Sequence, residues 1–282
     1  MTFKICAIVP VLGPQPLLQR AVTSALSNSE VCELVVVDDG SPAPLDLMPN
    51  PRLRIIRHDA NKGPAAARNS GARAAKSDWL AFLDADDVWD QNKSKTQIDA
   101  LKSDLSGALG AVCAFGFQRG AKQVVCRPPG PRLEFGHALK GARFGLGSTM
   151  MISRAAFLKS TGFNEDYPRY EDWEWLLRIL KAGHFLTQRE QLVTITHGYR
   201  AKPSVALRAL SRLEKSVRPN GWPPSQLRDF TAAIALERSS LQLSGKQRLA
   251  AAWSILAAMR HGPAWVPQAV FKRITSGSVP GV

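Results

Sequence analysis

The first 90 residues alternate between two kinds of segment, and this alternation constrains the fold more than any other feature of the chain. Short apolar runs are typical of buried strands, and between them lie stretches whose apolar residues recur at helical spacing. The strand-like runs are FKICAIVPVL, CELVVVDDGS, RLRIIRHD and WLAFLDADD. Strands that alternate with helices predict a parallel, doubly wound α/β sheet, in which ligands bind beyond the carboxyl ends of the strands.

The predicted strand ends carry an unusual concentration of carboxylates. Asp38 and Asp39 follow the second strand, Asp84 and Asp86 follow the fourth, and Pro10 ends the first. Like charges crowded together repel one another and gain nothing from burial, so a cation is expected beside them. Mg²⁺ and Mn²⁺ prefer oxygen ligands, and Mg²⁺ usually binds one or two carboxylates together with substrate phosphates. The carboxylates at this edge of the sheet therefore suit a divalent metal, Mn²⁺ or Mg²⁺, although acidic turns are also common at protein surfaces.

The remainder of the chain divides into two stretches. Between Lys93 and His197 the pattern is less regular, with predicted helices over 93–103 and in EDWEWLLRILKAG and predicted strands in GALGAVCAFGFQ and KQVVCR. From Pro203 onward the apolar spacing is helical throughout. We therefore predict a main domain over residues 1–200 and a basic, mainly helical C-terminal region over residues 201–282.

The formal net charge of +14 is concentrated in the C-terminal region. Up to His197 the chain has 24 Lys and Arg against 20 Asp and Glu, whereas the residues that follow have 13 against 3. Such a region could meet nucleic acid, an anionic membrane surface or an acidic partner. No apolar run reaches the roughly 18 residues of a membrane span. The four cysteines show no CxxC spacing, which is typical of reduced thiols in a cytoplasmic protein.

Three longer motifs occur in a fixed order along the chain. They are VVVDDGSPAP, NKGPAAARNSGARAAKSDWLAFLDADDVWDQNKSKTQ and GSTMMISRAAFLKSTGFNEDYPRYEDWEWLLRIL. This joint pattern, over about residues 3–200, resembles the family 2 glycosyltransferases, which have the GT-A fold. The resemblance implies a metal-dependent, inverting transfer of a sugar from a nucleotide-diphosphate donor to an acceptor hydroxyl. The C-terminal region lies outside the resemblance.

The resemblance also implies which residues bind the donor nucleotide. Asp39 would accept a hydrogen bond from the base, with Asp38 beside it and Pro10 at the end of the neighbouring strand. Arg68 would lie close to the nucleotide, and Asp84 would face the ribose. Acidic oxygens suit these roles because they accept hydrogen bonds from imide N–H and hydroxyl groups. Structural alternatives stay open for three of these residues. The side chains of Asp38 and Asp39 could simply cap the turn that follows, and Arg68 could form an ion pair on the surface of its helix.

Further residues are implied in metal binding and catalysis. Asp86 would bind the metal, while Asp87 is interpreted as a cap or loop residue. Asp172 would be the catalytic base that takes the proton of the acceptor hydroxyl, with Glu171 supporting it. These two acids could instead only complement a helix dipole. His197 would complete the metal sphere, although it precedes the Tyr-Arg pair that a histidine of this family often follows.

A departure from the family pattern concerns the donor base. The family usually has a Thr-Tyr-Asn type of sequence after the first strand, whereas this chain has Val11, Leu12 and Gly13. Leu12 can pack against a base but cannot stack on it as an aromatic ring does. UDP is the commonest nucleotide in the family, and we therefore expect a UDP-sugar donor, with the sugar left open.

The C-terminal region suggests where the acceptor is met. It either packs on the catalytic domain or holds a cytoplasmic enzyme peripherally at the inner face of the cell membrane. Family members that build surface polysaccharides use glycan or lipid-linked acceptors there.

An alternative function is a non-catalytic basic protein that binds nucleic acid or an anionic membrane. No nucleic-acid partner is expected, because the basic excess avoids the sheet and no recognition motif accompanies it. A dehydrogenase or nucleotidyltransferase is disfavoured, since no Gly-rich phosphate loop follows any predicted strand.

Overall fold

A computed structural model describes residues 3–13, 16–119, 122–141, 144–196, 202–217 and 222–275. The chain forms two compact units, and neither is a single continuous stretch of sequence. The first unit consists of Met1–Glu134, Phe144–Asp166 and Arg178–Tyr199. The second unit consists of Phe135–Arg143, Tyr167–Leu177 and Arg200–Val282. Each unit combines separate stretches of the sequence that contact one another, so the two units do not correspond to the two predicted domains. The predicted domain boundary at residue 200 therefore stays a prediction.

In the described part of the chain, ten strands form one mixed and mostly parallel sheet in the first unit. The strands are β1 Ile5–Val11, β2 Val31–Asp38, β3 Leu53–Arg57, β4 Trp79–Phe82, β5 Val88–Trp89, β6 Gly110–Arg119, β7 Lys122–Cys126, β8 Arg132–Leu133, β9 Met151–Ser153 and β10 Phe185–Thr194. The order across the sheet is β3-β2-β1-β4-β9-β6-β10-β5, with β7 beside β6 and β8 beside β10. The predicted doubly wound α/β architecture is therefore confirmed.

Strand β1 lies at the point where the order of the parallel strands reverses. The chain passes from β1 to β2 and β3 on one side and then returns to place β4 on the other side of β1. All three pairings are parallel, so the carboxyl ends of these strands share one edge. A crevice opens at such a reversal, and open α/β sheets bind their ligands there.

The central strands form because their side chains are apolar on both faces, as strands covered on two sides require. Ile5, Ile8, Val36 and Leu80 are fully buried, with no exposed surface. The register places Pro10 opposite Val37, one residue before the end of each strand. The carboxylates that follow thus begin where the buried strands stop.

Helices cover the sheet and make up the C-terminal region. They are α1 Leu18–Leu26, α2 Pro64–Ala74, α3 Lys93–Ser103, α4 Phe135–Ala138, α5 Leu146–Thr149, α6 Arg154–Lys159, α7 Glu171–Ile179, α8 Pro203–Val217, α9 Pro224–Ser244, α10 Arg248–His261 and α11 Val266–Thr275. Helix α2 approaches β1 closely, since a Cβ atom on Gly71 would lie 2.5 Å from the Ile8 side chain. The small glycine thus allows α2 to pack directly on β1.

The predicted helical C-terminal region is confirmed by α8 to α11, and α9 packs against the start of α7 within the second unit. The Tyr170 hydroxyl donates a hydrogen bond to Glu237 of α9 over 3.1 Å, and the rings of Trp173 and Phe230 lie 6.0 Å apart. Among the described residues, no helix is both long enough and apolar enough to cross a membrane. Strand β10 has no counterpart among the strands predicted from spacing.

One ammonium group lies entirely inside the first unit. Lys93 begins α3 with no exposed surface, its Nζ donates to Gln97 Oε1 over 2.9 Å, and it lies 4.1 Å from the centre of the Trp89 ring. Burial disfavours the charged form and lowers the pKa of Lys93 from 10.5 to about 8. The folded protein therefore releases this proton more readily than the unfolded chain does.

We expect Lys93→Met to change how the stability of the protein depends on pH. Between pH 8 and pH 10.5 the unfolded wild type binds the Lys93 proton more than the folded state does, so this lysine makes the free energy of unfolding rise with pH. The rise amounts to about 3 kcal/mol over the window and should be absent from Lys93→Met. Urea unfolding at several pH values measures it.

The matched control is Lys95→Met, two residues along the same helix. Lys95 is exposed and pairs with Asp99 over 2.6 Å, and this pairing raises the pKa of the lysine. Its loss can therefore produce only a change of the opposite sign. If the free energy of unfolding changed with pH equally in the wild type and in Lys93→Met across this window, the prediction would be contradicted.

Candidate active site

Asp39 is the most firmly held carboxylate at the carboxyl edge of the sheet. Its Oδ1 accepts hydrogen bonds from the Lys62 backbone N–H (2.9 Å) and from His58 Nδ1 (2.7 Å), and its Oδ2 accepts one from the Gly63 N–H (2.8 Å). A carboxylate has about four lone-pair positions, so one position on Oδ2 remains for a further donor. Because Asp39 is only 3% exposed, a ligand must place its own hydrogen-bond donor in direct contact with Oδ2.

His58 connects Asp39 to helix α2. Its Nδ1 faces Asp39, and its Nε2 lies 3.0 Å from the Ser70 hydroxyl. In the neutral tautomer with the proton on Nδ1, the ring donates to Asp39 and accepts from Ser70. The sequence predictions missed this histidine, although it directly follows β3 and thus stands at the same edge as the carboxylates.

Asp38 holds the turn that follows β2. Its Oδ1 accepts from the Ser41 N–H over 2.9 Å, and its Oδ2 pairs with Arg57 over 2.8 Å. The Ser41 hydroxyl in turn accepts from the Gly13 N–H over 2.8 Å, which ties this turn to the segment after β1. Gly40 adopts φ +78°, and a Cβ atom there would lie 2.5 Å from the backbone of residue 60, so only glycine suits the turn. The described contacts of Asp38 are those of a residue that shapes the loop.

Arg68 and Asp84 form an ion pair beside the end of β4. The guanidinium Nη2 lies 2.6 Å from Asp84 Oδ1, and the arginine side chain is 8% exposed while that of Asp84 is 38% exposed. A Cβ atom on Gly147 would lie 2.5 Å from the other oxygen of Asp84, so the backbone of α5 closes one side of this carboxylate. Asp84 is therefore oriented by two elements and still faces solvent.

Asp86 and Asp87 are adjacent but lie in different environments. Asp86 is half-buried, and partial burial together with the nearby Asp84 raises its pKa. A carboxyl group in such a place gains from a bound cation. The Arg20 guanidinium lies 3.4 Å from the backbone oxygen of Asp86 and 3.1 Å from the Thr196 hydroxyl, so one positive charge is already close.

Asp87 is a buried residue that joins three segments. Its Oδ2 accepts from the Ser148 hydroxyl over 2.5 Å, and its Oδ1 accepts from the Thr196 N–H over 2.9 Å. Ser148 also accepts from the Asp84 N–H over 3.0 Å. Burial and the nearby Asp84 raise the pKa of Asp87 to about 8. Its interpretation as a loop residue rather than a ligand agrees with these contacts, but the role of Ser148 was missed.

The donor set at this edge fits a divalent cation that also binds phosphate. Within the described residues, no group of three or more His, Cys, Asp or Glu side chains could hold a metal alone. Asp86, with Asp84 near it, offers the one or two carboxylates through which Mg²⁺ or Mn²⁺ binds when phosphate oxygens supply further ligands. His197, the other predicted metal ligand, lies outside the described residues.

Glu171 and Asp172 belong to the second unit, where they begin helix α7. Asp172 is half-buried, and its Oδ1 accepts from the N–H of Trp173 over 2.7 Å. Tyr170, just before the helix, adopts φ +65°, a conformation that is uncommon for a residue with a side chain. Carboxylates in the first turn are stabilised by the positive end of the helix dipole. The helix therefore presents Asp172 from a fixed backbone.

We expect His58→Leu to destabilise the protein by about 1–3 kcal/mol, because Asp39 would lose a partner at a buried position and Ser70 would lose one at a half-buried position. Urea unfolding measures the change. The control is His184→Leu, in which the lost bond joins His184 to Ser106 at an exposed position. The control should stay within about 0.5 kcal/mol of the wild type. Equal losses in the two variants would show that the contact of His58 with Asp39 carries no special weight.

Similar solved structures share this fold. The S. aureus TarS fragment 1–349 in complex with UDP-GlcNAc has a TM-score of 0.63 and 14% identity, over 93% of this chain and 82% of that one. The mannosyltransferase PcManGT from Pyrobaculum calidifontis, in complex with GDP-Man and Mn²⁺, has a TM-score of 0.57 and 17% identity, over 97% of this chain and 80% of that one. At such low identity these likenesses show the fold alone, and the fold is that of the GT-A glycosyltransferases.

Sequence comparison shows the family. The succinoglycan biosynthesis protein ExoU of Rhizobium meliloti (strain 1021) is 30% identical over 200 residues, which cover 64% of this chain. The chain spans 57% of the length of that relative. Residues 6–161 match the sequence profile described as glycosyl transferase family 2. These residues include β2 to β4 and all of β1 except its first residue, with the carboxylates that follow the strands. The chain therefore belongs to glycosyl transferase family 2, as its motifs predicted.

Proposed function

We propose that this chain transfers a sugar from a nucleotide-diphosphate-sugar donor, most readily a UDP-sugar, to the hydroxyl of a glycan or lipid-linked acceptor. The transfer inverts the anomeric configuration and serves polysaccharide biosynthesis. Membership of family 2 supports the reaction class. The name of the relative ExoU supports the polysaccharide context, and the UDP-GlcNAc bound in the TarS fragment supports the choice of nucleotide.

One observation carries the proposal: helix α2 connects the two groups of carboxylates. The N–H of Gly63, at its N-terminus, donates to Asp39, and Arg68 in its second turn pairs with Asp84. Asp39 follows β2 and Asp84 follows β4, so the helix links both sides of the strand reversal at β1. An extended ligand bound at this reversal would meet both carboxylates in succession.

The nucleoside would lie against the Asp39 side of this edge. The remaining acceptor position on Asp39 Oδ2 suits an imide N–H such as that of uracil. Leu12 is 43% exposed after β1 and offers an apolar surface on which a base could pack. Asp84 faces solvent and suits a ribose hydroxyl, while Arg68 keeps its carboxylate in position. Pro10 and Asp38 would contribute by shaping the walls of this site.

The diphosphate would lie towards Asp86. Asp86 would hold the divalent cation, Mn²⁺ or Mg²⁺, and the Mn²⁺ bound in PcManGT supports this assignment. When bound, such a cation neutralises the charge that builds up on the leaving diphosphate. Arg20 adds a positive charge next to Asp86 from helix α1. Any part played by His197 concerns a residue outside the described ranges.

The acceptor hydroxyl would be deprotonated by Asp172. A carboxylate that takes this proton allows the oxygen to attack the anomeric carbon opposite the leaving diphosphate, and this in-line displacement inverts the configuration. The hydrogen bond from the N–H of Trp173 orients Asp172, and Glu171 would support it from the same helical turn. The proton goes to Asp172 and the bond to the diphosphate breaks as the new glycosidic bond forms.

Basic residues of the second unit support the proposed class of acceptor. Helix α8 exposes Arg208, Arg212 and Lys215 along one face, with Ser211 between them. Such a basic face suits the phosphates of a lipid-linked acceptor or of an anionic leaflet. We therefore propose that the enzyme works at the cytoplasmic face of the cell membrane, and we expect no nucleic-acid partner.

Calorimetry of the full chain tests the donor site. UDP, GDP, CDP and dTDP would each be titrated with Mn²⁺ and again with EDTA. We expect binding of UDP that depends on the metal. Binding of another diphosphate in place of UDP would correct the nucleotide, and binding of none of them would overturn the donor site.

We expect Asp86→Asn to weaken metal-dependent UDP binding about tenfold or more, because the variant loses the charge that attracts the cation. Calorimetry with Mn²⁺ measures this loss. The matched control is Asp90→Asn, an exposed carboxylate four positions further along the same segment. The control should bind UDP as the wild type does. Unchanged binding in Asp86→Asn would remove Asp86 from the metal site.

We expect Asp172→Asn to bind UDP normally and to lower kcat about 100-fold or more, since an amide cannot take the acceptor proton. Transfer from a UDP-sugar to a lipid-linked acceptor measures kcat. Asp166→Asn, an exposed carboxylate shortly before helix α7, is the control and should keep full activity. If Asp172→Asn retained the wild-type kcat, another group would have to be the base.

A further inference from the structure

Helix α10 exposes large apolar side chains while it buries small ones. Leu249 is 83% exposed, Trp253 is 73% exposed and Leu256 is 56% exposed, whereas Ala251 and Ala258 are buried. The buried Ala258 packs with residues of α9 and α11 in an apolar cluster: Ala232, Leu236, Val266 and Val270. An ordinary surface helix has the reverse arrangement, with its large apolar residues facing the core.

The exposed side chains share one face of the helix. At about 100° per residue, Leu249, Trp253 and Leu256 fall within about 60° of one another. Met259, which is 49% exposed, lies at the edge of this face. We call these four residues the α10 face. The α10 face leaves a contiguous apolar surface in water, which a folded protein avoids unless something covers it.

The charges around the α10 face identify what covers it. Lys246 and Arg248 are exposed at the start of the helix, and Arg260 is exposed at its end. No Asp or Glu follows Glu237 anywhere in the sequence, whereas six basic residues do: Arg238, Lys246, Arg248, Arg260, Lys272 and Arg273. A partner for this surface must therefore be apolar at the centre and negatively charged around it.

A second copy of this chain does not meet that requirement. Two α10 faces in contact would bring the same cations together, and the segment contains no acidic residue to pair with them. An anionic lipid bilayer does meet it, because the acyl boundary takes the apolar side chains while the lipid phosphates take the cations. Trp253 suits the boundary in particular, since its ring is apolar and its N–H can reach water or a headgroup.

We propose that α10 lies in the plane of an anionic membrane surface, with the α10 face inserted at the boundary between headgroups and acyl chains. A helix of 14 residues is about 21 Å long, so the basic residues at its two ends contact separate lipid headgroups. The membrane attachment is inferred from α10 alone. Only its purpose, which is to bring the enzyme to a lipid-linked acceptor, rests on the proposed function.

Sedimentation of the full chain with vesicles tests this inference. We expect binding to vesicles of phosphatidylcholine and phosphatidylglycerol, and much weaker binding to vesicles of phosphatidylcholine alone. Binding should fall as the ionic strength rises from about 0.01 M to about 1 M, where the Debye length shrinks from about 30 Å to about 3 Å. The double variant Leu249→Glu with Trp253→Glu should bind about tenfold more weakly or worse, because charges oppose insertion.

The matched control is Leu105→Glu. Leu105 is fully exposed in the first unit, and its replacement should leave vesicle binding unchanged. Circular dichroism and UDP binding in solution, measured on every variant, show whether the fold and the donor site are intact. A failure of membrane binding is thereby distinguished from a failure of the proposed function, which UDP binding reports separately.

Three results would overturn the inference. The first is vesicle binding by the double variant as tight as that of the wild type. The second is a dimer of the wild type, detected by light scattering, that the double variant abolishes, because the α10 face would then be covered by a second copy. The third is an absence of wild-type binding to anionic vesicles at low ionic strength.

Discussion

The site depends on the parallel pairing of β1 with β2 on one side and with β4 on the other. This pairing makes β1 the point of reversal in the sheet, and it brings the ends of three buried strands to one edge. Backbone hydrogen bonding continues past the strands, since the N–H of Asp39 donates to Val11 and that of Leu83 donates to Ile8. The sheet thus fixes the backbone positions of these carboxylates independently of the contacts that their side chains make.

The alternation of apolar runs and helically spaced stretches in the first 90 residues was enough to predict the parallel sheet, because strands that are buried on both faces have nearly continuous apolar sequences. Strand β10 was missed for a physical reason. Its sequence FLTQREQLVT mixes buried and exposed positions, and its register with β6 is irregular. Such a strand forms because β6 offers a partner, and no local property of its own residues indicates this.

Spacing predicted where the acids of the LDADD motif would lie but could not separate their roles. Asp84 is paired with Arg68 and faces solvent, Asp86 is half-buried without a described side-chain ion pair, and Asp87 is buried against Ser148. The partners of Asp84 and Asp87 lie more than 15 positions away along the chain. His58 escaped prediction for the same reason, since only the folded chain shows that it lies between Asp39 and Ser70. Sequence spacing thus predicts the edge at which acids gather, whereas their individual environments require the tertiary structure.

The hydrogen bond between Tyr170 and Glu237 has a consequence for enzymes assembled from parts of related chains. Glu237 lies well beyond residue 161, where the match to the family profile ends, yet it holds the residue that immediately precedes the acids of α7. A chimera that takes its sheet from one relative and its final helices from another could therefore lose the hydrogen bond that holds the backbone just before Asp172. Exchange of specificity between such relatives is best designed with the segment 167–177 and helix α9 inherited together.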